Sequence, residues 1–159
     1  MDYFQGVVTE FLRATRSIFV NTEYLLQLDA GDVYIKGRHW YCDAVAINHA
    51  DSTIQLCEIT YSKTLHSLTQ RLRAWNNNWP AVVQAIYRDS SLTGVWRVEP
   101  RIFIPSQSRS LMERKLAQIT PPPDLNPAMP AAIVTTFEDV LPWMYRSWNG
   151  KPFANEADG

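Results

Sequence analysis

Trp40-Tyr41-Cys42-Asp43-Ala44-Val45-Ala46-Ile47, the polar break Asn48 to Ser52, and Thr53-Ile54-Gln55-Leu56-Cys57-Glu58-Ile59-Thr60-Tyr61-Ser62-Lys63 form the stretch on which the fold turns. Two runs rich in β-branched and aromatic residues flank a short polar turn, the pattern of an antiparallel hairpin. A turn centred on Ala50-Asp51 sets Ile47 opposite Ile54, Val45 opposite Leu56 and Asp43 opposite Glu58. The two acids of these strands are then directly opposed.

Opposed residues in an antiparallel pair have Cβ atoms roughly 4.5–5.5 Å apart, and like charges at that spacing destabilise the sheet unless something compensates. A bound cation is the simplest compensation, and carboxylate oxygens on a rigid scaffold suit Mg²⁺ or Mn²⁺. Three other arrangements stay open at this point: one acid is protonated, one pairs with a lysine or arginine, or a shift of register by one residue carries one acid to the other face.

The order of parts extends the pattern. A helix carrying Glu10 precedes Asp43 on one strand and Glu58 on the next, and a basic helix follows. This order resembles the PD-(D/E)XK nuclease superfamily over roughly residues 1–105. The resemblance implies a restriction endonuclease-like core, an α/β sandwich whose central mixed sheet is flanked by helices. It also implies metal held by Asp43 and Glu58, with the Ile59 carbonyl and Glu10 completing the set, and hydrolysis of phosphodiester bonds. The chain departs from the family at two positions. Cys42 stands where Pro is frequent, a position that only shapes the strand. Thr60 stands where a lysine assists the attacking water, and a threonine hydroxyl can orient water but carries no charge to stabilise hydroxide. Lys63, three residues on, and Gln70 on the following helix are the candidates for that task.

Outward from the hairpin the punctuation is regular. Residues 2–17 form an amphipathic helix with Phe4, Val7, Val8 and Phe11 on one stripe, Gln5, Thr9, Arg13 and Arg16 turned away, and Glu10 at the stripe's edge. Residues 23–36 carry one or two short strands broken by Asp29-Ala30-Gly31-Asp32. Leu65, Leu68, Leu72, Trp75 and Trp79 repeat at helical spacing. On the opposite ridge Lys63, His66, Gln70 and Arg73 line up, and Lys63, His66 and Arg73 are the candidate contacts to nucleic acid. Asn76-Asn77-Asn78 interrupts the helix and Pro80 starts another, near the first turn where its missing N–H costs nothing. A strand within Gly94 to Pro105, a helix from Ser108 to Ile119, a stiff proline-rich loop, a strand Ala131–Thr136 and a helix Glu138–Trp148 complete one nuclease-like domain over residues 1–150, with a frayed tail at 151–159.

Composition bounds the class. At 159 residues, 46% apolar and 12% aromatic, the chain can bury a proper core. No apolar run is long enough for a bilayer, and the start of the sequence has no basic segment ahead of an apolar one, so a cytoplasmic protein without membrane contact is expected. Cys42 and Cys57 fall on the hairpin face opposite the acids, where buried free thiols are the ordinary outcome. The net charge of −1 conceals an uneven distribution: residues 60–115 hold 9 basic against 3 acidic groups, and residues 1–59 hold 4 against 8. A basic surface beside an acidic pair is what phosphodiester chemistry requires. Few and unclustered glycines, the absence of a Gly-x-Ser-x-Gly elbow and the absence of a Cys-x-x-Cys knuckle argue against nucleotide-dependent motors, serine hydrolases and structural zinc.

The expectation is therefore a Mg²⁺- or Mn²⁺-dependent nuclease acting on DNA or RNA, alone or as a homodimer. The competing expectation, for which Thr60 speaks, is a catalytically silent domain of the same shape that binds nucleic acid or a protein partner.

Overall fold

The computed structural model describes residues 2–29 and 39–142, with His39 described by its backbone alone. Among these, four α-helices and five strands follow the order α1 (Tyr3–Arg13), β1 (Ile18–Gln27), β2 (His39–Asn48), β3 (Thr53–Ile59), α2 (His66–Asn77), α3 (Trp79–Ser90), β4 (Arg97–Ile104), α4 (Arg109–Ala117) and β5 (Ile133–Thr136). The strands form one sheet in the order β1-β2-β3-β4-β5. The first three are antiparallel neighbours, whereas β4 joins β3, and β5 joins β4, in parallel. Each parallel step needs a crossover, supplied by α2 and α3 for the first and by α4 for the second.

Helices cover both faces. On one, Leu68, Leu72 and Trp75 of α2, Trp79, Val82 and Ile86 of α3 and Met112 of α4 pack on Val45, Ile54, Leu56, Ile102 and Ile104. On the other, Val8 and Leu12 of α1 pack with Phe137 and Val140 on Ala44, Ala46, Cys57, Ile59 and Phe103. A sheet covered on both faces explains why β3 and β4 are buried almost throughout instead of alternating between buried and exposed.

The hairpin register is the expected one: Ile47 lies opposite Ile54 and Val45 opposite Leu56. Several boundaries differ. Helix α1 ends at Arg13, and its most buried residues are Val8, Thr9 and Leu12, so its buried stripe is turned toward residues expected on the outer side. Helix α2 begins at His66, because Leu65 adopts a left-handed conformation (φ 56°) and is fully buried, which stops any earlier helical turn. Strand β1 starts at Ile18, five residues ahead of the expected strand. The remainder of the 23–36 expectation beyond Asp29, the greater part of the 138–148 helix and the 151–159 tail lie outside the described residues; Phe137–Asp139 is a short 3₁₀ turn.

Leu72 is fully buried at the centre of α2. Leu72→Ala is expected to lower stability by about 2–5 kcal/mol through lost burial and the cavity left behind. Urea unfolding checks this, and a loss below about 1 kcal/mol would contradict the docking of α2 on the sheet.

Candidate functional site

The hairpin register brings Asp43 and Glu58 together one rung beyond the last ladder pair, Ala44 with Cys57. There the strand pairing gives way to side chains. The Ile59 N–H donates to Asp43 Oδ2 at 2.8 Å, and the Gln5 amide donates to Asp43 Oδ1 at 3.2 Å. Gln5 is aimed by a capping box: Asp2 accepts from the Gln5 N–H at 2.8 Å, and Gln5 Oε1 accepts from the Asp2 N–H at 3.3 Å. With its oxygen committed to the helix start, the amide has only its NH₂ to offer the acid.

Glu58 points the other way, toward α2. It is 2% exposed, its Oε2 lies 2.6 Å from Arg71 Nη1, and its Oε1 is buried without a hydrogen-bond partner. Burial, and next the neighbouring Asp43 charge, push the Glu58 carboxyl well above the usual range, with Arg71 opposing. A proton on Glu58 would relieve the repulsion, and the side-chain hydrogen bond with Asp43 favours that neutral form. Burial works against the Arg71 charge, but Glu58 outweighs it and holds the guanidinium above its ordinary value.

Strand β2 is irregular where it carries Asp43. Cys42 packs in the cluster under α2 while Ala44, two residues on, packs in the cluster under α1. Strict alternation would put both on one face. The Cys42 thiol lies 3.1 Å from the Ala44 carbonyl and 3.3 Å from the Cys57 carbonyl. On the neighbouring strand Glu23 has φ 52° and falls between the paired residues Thr22 and Tyr24. The irregularity lets Asp43 reach α1 while staying beside Glu58. It also separates the cysteines expected on one face: Cys42 belongs to one core cluster and Cys57 to the other. Both are free and buried, and burial pushes Cys57 up to about 12 and Cys42 well above its ordinary value, so neither is a nucleophile.

Of the other candidate residues, few meet the pair. Glu10 is exposed and lies 3.7 Å from Arg13; five positions after Gln5, it sits about 140° farther round the helix, away from Asp43. Ile59 contacts the pair through its N–H, not the carbonyl expected to serve. Thr60 Oγ1 accepts from the Ser62 N–H at 3.1 Å and so shapes the turn leaving β3. Lys63 lies exposed in that turn, ahead of α2 and not on it, so the expected four-residue ridge shortens to His66, Gln70 and Arg73, all exposed. Among the described residues no three His, Cys, Asp or Glu side chains come together as a metal cluster.

Arg71 and Gln5 were the residues to find. Arg71 sits three after Leu68 and four before Trp75, at the half-buried edge of the α2 stripe, where a charged residue gains from a partner. Gln5 stands three after Asp2, the capping-box spacing. The basic block is also less free than its count suggests, since Arg71, Arg88, Arg97 and Arg109 pair with Glu58, Asp89, Glu99 and Glu113.

The raised Glu58 value has a testable sign. A group whose folded pKa exceeds its unfolded value contributes stability that is complete below the unfolded value, 4.5, and is lost as pH rises through the folded one. Glu58→Gln does not titrate, so its stability relative to wild type is expected to improve steadily as pH is raised above about 4.5. Urea unfolding between acid and mildly alkaline pH measures the gap; a gap independent of pH would contradict the pairing. No family model matches this sequence, and no curated protein or solved structure matches it either.

Proposed function

We propose that the chain is a metal-dependent phosphodiester hydrolase acting on DNA or RNA, with its centre at Asp43 and Glu58. The observation that carries this reading is the buried, unpartnered Glu58 Oε1 beside a second carboxylate. An acceptor in that position, next to another acid, fits a cation. The donors are hard oxygens, the kind that Mg²⁺ and Mn²⁺ take, and Arg71 occupies only Oε2, so Oε1 and Asp43 remain to hold an ion. When bound, such an ion lowers the pKa of a water and stabilises charge growing on a phosphate.

The chain's own residues divide the remaining work. Arg71 keeps its charge at any working pH and supplies beside Glu58 the positive charge that Thr60 lacks. Its side chain is 39% exposed, so its free N–H groups can donate to a phosphate oxygen while Nη1 stays on Glu58. The Thr60 hydroxyl, already accepting from Ser62, has its own proton to orient a water. Gln5 and the Ile59 N–H hold Asp43 in place. Lys63, Gln70, His66 and Arg73 stand exposed at the start and along the outer side of α2, where a nucleic-acid backbone would run.

The second reading, a silent domain that binds nucleic acid or a protein partner, is favoured by the Glu58–Arg71 pair itself, which offsets one carboxylate without any metal. Cleavage assays separate the two. With Mn²⁺, wild type is expected to cut plasmid or single-stranded DNA or RNA, Asp43→Ala to abolish cutting, and Arg71→Met to slow it on the order of 10²-fold, the usual loss on removing a charge-stabilising donor. Lys63→Ala is expected to change the rate less than Arg71→Met. A wild type that cuts none of these substrates gives the second reading. Because binding requires Glu58 to lose its proton, Mn²⁺ is also expected to raise the melting temperature more at pH 8 than at pH 6. An equal rise at both, or none, contradicts an ion at this pair.

A further inference from the structure

A second polar centre lies on the other face of the sheet, three residues along β3 from Glu58, which is about 10 Å of strand. Here the C-terminal half of α1, the start of β1 and the hairpin turn enclose a cavity of about 340 Å³. Arg101 of β4 forms its floor. The guanidinium is held in one plane: Nε donates to Thr135 Oγ1 at 3.2 Å, Nη1 donates to Gln55 Oε1 at 3.0 Å, and the Phe103 and Phe11 rings lie 4.9 and 5.9 Å from its central carbon. Nothing in these contacts is negatively charged. Glu99, outside the lining, acts on Arg101 through its charge without an ion pair to it; the Gln55 NH₂ donates to Glu99 Oε1 at 2.9 Å, and Glu99 itself lies 3.3 Å from Arg97.

Arg101 is thus a half-buried cation without a carboxylate at ion-pair distance among the described residues, and burial lowers its pKa from the ordinary value. Its Nη2 makes no hydrogen bond to the described residues. On the wall, Asn48 Oδ1 accepts from the Ser17 hydroxyl at 2.9 Å and from the Ala50 N–H at 3.0 Å, which leaves its NH₂ as a further donor. Phe11, Leu12 and Ile18 supply apolar wall, and Asp51, accepting from Thr53 at 2.6 Å, adds one negative charge to the lining.

We infer that this cavity binds a small organic monocarboxylate, its carboxylate on Arg101 and its apolar body against Phe11, Leu12 and Ile18. A planar fork with Nε and one Nη1 proton committed presents its Nη1/Nη2 end, the geometry of bidentate carboxylate recognition. A single cation with Asp51 nearby disfavours a dianion such as phosphate, and the apolar wall has no use for an inorganic ion. The assignment does not depend on the acidic pair being catalytic.

The experiment uses the full chain with sodium benzoate, sodium phosphate and sodium chloride at equal ionic strength. It follows melting temperature and the ¹⁵N–¹H signal of the Arg101 Nε, identified by its loss in Arg101→Lys. Benzoate is expected to shift that signal saturably and to raise the melting temperature. Asp51→Asn is expected to lower the benzoate dissociation constant several-fold, because one repelling charge is gone, and Arg101→Met to lose the response. The wild-type titration and Asp51→Asn decide the matter even where Arg101→Met fails to fold. A phosphate response as strong as that of benzoate overturns the monocarboxylate assignment. No saturable shift with either, or a benzoate affinity unchanged in Asp51→Asn, overturns the site.

Discussion

Two carboxyl groups in contact at the end of a buried hairpin require a positive charge or a proton between them. Two unit charges about 4 Å apart repel by about 4 kcal/mol at the effective dielectric typical near a protein surface. That is a large fraction of the roughly 5–15 kcal/mol by which domains are stable. Each distinctive local feature here bears on this constraint. The capping box of α1 turns the Gln5 NH₂ toward Asp43, the irregular turn of β2 lets Asp43 reach both α1 and the Ile59 N–H, and α2 lays Arg71 on Glu58. Even so, Glu58 Oε1 is left buried and unpartnered. A strongly shifted, buried carboxyl beside a second acid is the kind of arrangement that motivates the proposed site.

Arg71 offsets the charge of the buried Glu58 from within the fold. Without it, a chain lacking bound metal would bury Glu58 with only a proton to neutralise it. With it, one oxygen is neutralised from within and the other remains available. On the proposed reading, the same guanidinium supplies a permanent charge beside a pair whose strand continues into Thr60 and not into a lysine. Of the rest of the basic block, Arg88, Arg97 and Arg109 are engaged in pairs of their own, while Lys63, Arg73 and Arg114 stand exposed and are the groups that the proposed reading would use to attract a polyanion.

Much of the fold was legible because its signals are local. Alternation and a polar break placed Ile47 opposite Ile54, and the leucine–tryptophan stripe placed α2 and α3 across one face. The site was legible only at its two acids. Glu10 enters as a third acid only through the family resemblance, yet the helix turns it to solvent, and the group that meets Asp43 is the neutral Gln5, whose importance comes from a capping contact with Asp2. Lys63 was placed on a helix that Leu65 prevents from starting so early. Arg71 is hard to read from the sequence because it lies at the half-buried edge of α2, between the apolar stripe and the exposed ridge, so neither pattern singles it out. The separation of Cys42 from Cys57 depends on a strand irregularity that no period-two pattern contains.

On the proposed reading, Asp43 and Glu58 would hold a cation. A crystal grown with Mn²⁺ at mildly alkaline pH, with diffraction recorded at the manganese absorption edge, tests it most directly. The expected result is an anomalous peak at the Asp43–Glu58 pair, with Arg71 still on Glu58 Oε2. A map without a peak there, in which Arg71 and a shared proton account for every oxygen of the pair, would contradict it.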